Sequence, residues 1–167
     1  MKAHDLTLVS ILAASLTAGK MVLSVIPNVE IVTFLLMSFT VLFGLKRAIM
    51  ASIVFVTIEV FIYGFGTWIL GYYIIWPALI VLTYFLSRKT RSEYAFAALA
   101  SAFGFGFGLF FALFESIFYG IGYAIPYWLS GIPFDIVHGV SNFIIVLILF
   151  KPITQSVEKI KTRLHVQ

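Results

Sequence analysis

The sequence predicts an all-α membrane protein, a six-transmembrane-helix bundle with both termini on the cytoplasmic side. Three observations carry this. Of the 167 residues, 62% are hydrophobic and 11% charged, whereas soluble domains run near ~45–50% apolar and ~25% charged. The apolar residues form six continuous runs, not the alternating ~10-residue segments of a membrane β-barrel. Ten of the eleven Lys and Arg residues fall on alternate sides of those runs, so that they collect on one face of the membrane, and basic residues mark the cytoplasmic face. The net charge of +4 is therefore a topological signal and does not point to nucleic acid. The absence of cysteine leaves the redox compartment unread. The polar flank MKAHD, with no small-residue cleavage site after the first run, argues against a cleaved signal.

A spanning helix needs ~20 residues. Helices are expected over 6–26, 29–44, 47–66, 70–87, 92–120 and 131–156, within a single integral membrane domain over 1–167. Lys2, Lys46, Arg47, Arg88, Lys89, Arg91 and the basic tail from Lys151 define the cytoplasmic side. The opposite connections, around Asn28, over 66–71 and over 120–131, carry no Lys or Arg.

In the first helix, Ala14 and Ala18 are four residues apart, with Ser10 one turn earlier. Small residues at that spacing let another helix approach closely, whether inside this protein or on a partner. Lys20 breaks the charge rule. It lies 15 residues beyond Asp5, ~22 Å along a helix, and an intramembrane cation must face a cavity or a partner, or snorkel to the interface. Pro27 ends that helix and Asn28 suits the turn that follows. Glu30 favours the N-terminus of the second helix or contacts a ligand.

The third helix carries Glu59, 12 residues above Arg47 and so ~18 Å deep. A carboxylate there is a functional candidate, or the partner of Lys20. Tyr63, Trp68, Tyr72, Tyr73 and Trp76 follow on the outer side. They are denser than an interfacial belt requires, so a subset is expected to line a pocket. In the fifth helix, Gly104 and Gly108 form a GxxxG spacing for close helix packing. No strand precedes these glycines and no Lys-Ser/Thr follows, which excludes a phosphate loop.

The stretch GIGYAIPYWLSGIPFDIVHGVSN holds the densest chemistry. Its first half, with Tyr127, is expected as an outer loop that gates a site. Pro133 suits a first helical turn. Asp135, His138 and Asn142 then fall on one helical face, with His138 near the depth of Lys20 and Glu59. There is no Glu-x-x-His or His-x-x-x-His pair, no nucleophile elbow and no Walker motif, so no metal, no cofactor, no catalytic residue and no ATPase activity are expected. Aromatics with a few polar groups compose a small-molecule pocket.

These features resemble the S components of energy-coupling factor (ECF) vitamin transporters, over essentially the whole chain. The resemblance lies in six short helices, cytoplasmic termini, the Ala14–Ala18 motif and the segments PNVEIVTFLL, YGFGTWILGYYIIWP and SGIPFDIVHGVSNFIIVLILFKP. It implies a non-enzymatic subunit in a bacterial plasma membrane that captures a vitamin from outside. It also implies partnership with a transmembrane coupling subunit and two cytoplasmic ATPases, with Ala14 and Ala18 as docking residues. The segments look closest to the cobalamin-specific S components, and an aromatic rim suits a corrinoid. S components for pantothenate, pyridoxine, or pyrimidine or queuosine precursors share the layout, and Lys20 suits a carboxylate such as that of pantothenate. The substrate-binding residues expected are Lys20, Asn28, Glu59, Tyr63, Trp68, Trp76, Tyr127, Asp135, His138 and Asn142. A stand-alone transporter using Lys20, Glu59 and His138 as a proton relay is the alternative.

Overall fold

The computed structural model describes residues 3–163, so Lys2 lies outside the described residues. Among these the chain forms six α-helices and no strand: α1 (Ala3–Leu23), α2 (Val32–Phe43), α3 (Leu45–Tyr63), α4 (Thr67–Lys89), α5 (Glu93–Tyr119) and α6 (Ile121–Arg163). Four of them, α1, α4, α5 and α6, are long and apolar enough to cross a membrane. The chain is an α-helical membrane protein. Its outer surface is correspondingly greasy, with Ile11, Val22, Leu82, Leu113 and Ile148 all exposed.

The helices differ from their expected bounds in instructive ways. α2 has 12 residues, ~18 Å of helix, well short of a ~30 Å hydrocarbon core. Gly44 alone separates it from α3, at φ +85°, a conformation that side chains with a Cβ rarely adopt. The larger difference is at α6. Residues 120–131 are not an outer loop: only Gly120, at φ +85°, breaks the chain, and 43 residues of helix follow. Gly122 and Gly131 have no positive φ, so they act as helical residues. Pro126, Pro133 and Pro152 all lie inside α6. Pro133 thus sits well within the helix, not at its first turn.

Contacts between side chains bring the basic segments to one pole. Arg47 at the start of α3 pairs with Asp5 at 2.7 Å. Lys151 of α6 pairs with Glu93 at the start of α5 at 3.0 Å. Lys161 donates to the Leu42 carbonyl at 2.8 Å, tying the end of α6 to the end of α2. The opposite pole is formed by the 24–31 connection, the glycine turn at 64–66 and Gly120.

The core runs through all six helices, with Leu16, Leu36, Phe55, Leu79, Phe96 and Val146 fully buried. Its tightest seam is between α5 and α6. A Cβ built on Gly104 would stand 2.8 Å from Gly139 Cα, and one built on Gly108 would overlap the Asp135 carboxylate. The GxxxG spacing therefore serves packing within this chain. Ser10, Ala14 and Ala18 do not: all three are exposed on the outside of α1.

Candidate solute-binding cleft

At the pole away from the basic residues, α1, the 24–31 connection, α4, α5 and α6 enclose a cleft with two lobes. The smaller, about 200 Å³, reaches Lys20, Glu30, Trp76 and His138. The larger, about 480 Å³, reaches Trp68, Phe111, Tyr127 and Asp135. Asn28, Tyr72 and Phe107 line both and join them.

Lys20 projects from the last turn of α1 and ion-pairs with Glu59 of α3. The Glu59 side chain is 1% exposed and that of Lys20 26%, so the bundle supplies the counter-charge that a buried carboxylate needs. Aromatic faces complete the surroundings of the ammonium. Its Nζ lies 4.9 Å from the Tyr63 ring centre and 5.3 Å from that of Tyr72, within cation–π range. Tyr63 covers Lys20 without lining either lobe, and Glu59 stands behind Lys20.

His138 meets Glu30 across the smaller lobe, with Nε2 3.2 Å from Glu30 Oε1. The other oxygen of Glu30 accepts the Thr33 amide at 2.9 Å, which satisfies one of the open N–H groups at the start of α2. Burial pushes the Glu30 carboxyl up, but hydrogen bonding and attraction to His138, with the Thr33 bonds, outweigh it and hold its pKa below the ordinary value. Glu30 thus both caps α2 and lines the cleft. Asn28 holds the adjacent backbone turn at φ +57°, which asparagine tolerates better than most residues.

Asp135, His138 and Asn142 share the buried face of α6, but they do different things. Asp135 Oδ1 accepts the Gly108 amide at 2.9 Å, and the side chain lines the larger lobe. Asn142 lies one turn below His138 and lines neither lobe. Its Nδ2 donates to Thr33 Oγ1 at 3.3 Å, fastening α6 to α2. The structure therefore brings Lys20, Asn28, Trp68, Trp76, Tyr127, Asp135 and His138 to the cleft, and leaves Glu59, Tyr63 and Asn142 behind or beside it.

Tyr72 belongs to the outer aromatics of which a subset is expected to line a pocket, though not to the expected binding residues; it lines both lobes and packs edge-on against Trp68 and Trp76. A spacing of four places Trp68, Tyr72 and Trp76 on one face of α4, and that signal identifies it. Phe107 carries no such signal among the many phenylalanines of α5. It is placed by its contact with His138, 5.0 Å between ring centres.

Comparison with family models, curated proteins and solved structures finds no match to this chain. The functional reading therefore rests on the cleft itself. Among the described residues, no three His, Cys, Asp or Glu side chains gather as a metal-ligating group. The cleft offers rings, one compensated ammonium, carboxylates and an imidazole, a set suited to holding an organic solute.

Proposed function

We propose that the chain is the solute-binding subunit of an ATP-driven importer, an S component of the ECF type. In this reading all six helices belong to the membrane domain and the basic pole faces the cytoplasm. The cleft then opens outward to take up a vitamin or precursor. The observation that carries the reading is the two-lobed aromatic cleft at the pole opposite the basic residues. The exposed small-residue face of α1 supports docking onto a transmembrane coupling subunit, itself driven by two cytoplasmic ATPases.

The larger lobe, about 480 Å³, falls in the ~300–1,000 Å³ range that suits drug-sized ligands, and the smaller, about 200 Å³, lies below it. They favour a smaller vitamin or precursor over cobalamin, whose corrin ring needs a wider cleft. Native mass spectrometry of the full chain purified from its bacterial membrane tests the reading. The expected spectrum contains a retained small solute and a co-purified coupling subunit. A chain with neither, or uptake by ATP-free vesicles driven by a proton gradient alone, rejects it.

A further inference from the structure

The charge around the cleft bears on what it holds. Glu30 and Asp135 line the lobes and Glu59 stands directly behind, three carboxylates against the single ammonium of Lys20. Lys20 is already neutralised by Glu59 and faced by two tyrosine rings. Even an imidazolium at His138 leaves the negative charge in excess. An incoming carboxylate would meet repulsion with no unpaired cation to receive it.

Asp135, 8% exposed, lines the larger lobe with its Oδ1 held by the Gly108 amide, and Glu30 lines the smaller. A carboxylate accepts hydrogen bonds and donates none, so both lobes suit a solute that donates. Tyr72 and Phe107, which line both lobes, provide flat apolar faces between them.

Building on the solute-binding reading, we infer that the cleft takes a planar heteroaromatic solute, uncharged or cationic. The solute donates a hydrogen bond to the Asp135 carboxylate in the larger lobe, with its ring against Tyr72 and Phe107. The pairing of Lys20 with Glu59 is then a structural device that keeps the ammonium from recruiting organic acids, and pantothenate is a poor ligand.

The test is calorimetric titration of the purified full chain with probe pairs that differ by one carboxylate. The pairs are pyridoxine and 4-pyridoxate, nicotinamide and nicotinate, and uracil and orotate. In any pair that binds, the member without the carboxylate is expected to bind about tenfold tighter or more, as a charge-assisted contact is gained rather than opposed. An acid that binds as tightly as its partner overturns the inference. Asp135→Asn keeps an acceptor for the Gly108 amide and should weaken binding of the preferred probe, or of the solute retained on purification, about tenfold. Tyr72→Leu removes a ring that lines both lobes and should weaken it about fivefold. Native affinity in both variants also overturns the inference. Native mass spectrometry of the wild-type chain separates the two levels of claim. A retained uncharged or cationic ring compound supports the inference. A retained organic acid overturns it and leaves the solute-binding reading standing. No retained solute, with no probe bound, overturns both.

Discussion

Gly104 sits where α5 crosses α6, and replacing it with alanine gives the sharpest test of that seam. A Cβ there stands 2.8 Å from Gly139 Cα, from Gly139 N and from the His138 carbonyl carbon. These are helix backbone atoms, and they cannot turn aside as a flexible side chain can. Gly106, two residues on, has nothing within 4 Å of its Cβ position. Both substitutions to alanine gain the same helix propensity, ~0.5–1 kcal/mol, so the difference between them isolates the clash. Overpacking costs ~1–3 kcal/mol, so Gly104→Ala should be less stable than Gly106→Ala by about that amount. At ~2–4 °C per kcal/mol for a chain of this size, the gap in melting temperature is about 2–12 °C. Thermal unfolding of both variants in the same detergent measures it. The displacement also moves His138 away from Glu30, so Gly104→Ala should bind solute more weakly while Gly106→Ala binds normally. Should Gly104→Ala melt at or above Gly106→Ala, the backbone contact does not exist as described.

Other outcomes follow from the same geometry. Lys20→Met strands Glu59 without its counter-charge and should cost ~3–5 kcal/mol, and the double variant with Glu59→Leu should recover most of it; equal stability of single and double variants removes the ion pair. Ala14→Leu with Ala18→Leu should leave melting unchanged, because both positions are exposed, and should abolish co-purification with a coupling subunit; an intact complex rejects the docking face. The Glu30 carboxyl is held below its ordinary 4.5, so its stabilising contribution is full above that pH and is lost as pH falls through the lower folded value. The stability gap between wild type and Glu30→Gln should therefore narrow in acid, and a gap that widens contradicts the assignment.

Membrane class, helix count and the polar face of α6 were legible because they depend on composition and on spacing along one helix. Asp135, His138 and Asn142 recur at three and four residues, and all three are buried on α6. What was not legible depends on how each helix is rotated about its axis. Apolar residues surround these helices on every side, so periodicity does not reveal which side faces the core. The pairing of Lys20 with Glu59 is one of the alternatives the sequence leaves open, and rotation decides for it; rotation also brings His138 to Glu30, a pairing the sequence does not suggest. It also decides that Asn142, a turn below His138, fastens α2 instead of lining the cleft. Depth counted in residues from the basic ends brought Lys20, Glu59 and His138 to one level, but depth alone does not specify partners.

Glycine and proline misled for a different reason: each has two uses, and the sequence shows only the residue. In 120–131 they resemble loop punctuation, yet only Gly120 is used that way. Its φ of +85° and ψ of +157° lie in a region essentially reserved for glycine, where a side chain costs ~1–3 kcal/mol. Gly122 and Gly131 lie within α6 with nothing within 4 Å of a built Cβ, so alanine at either should stabilise by ~0.5–1 kcal/mol. Melting temperatures in detergent should therefore fall for Gly120→Ala and rise for Gly122→Ala and Gly131→Ala. A flexible gate predicts the reverse at 122 and 131, where alanine would remove conformations the gate needs. Losses at those two positions, together with fast amide hydrogen exchange over 121–131, would restore the loop. The expected pattern makes Tyr127 part of a rigid wall continuous with Asp135 and His138. The cleft is then bounded by helix on that side and on the other by the 24–31 connection, which brings Asn28 to both lobes and Glu30 to the smaller one.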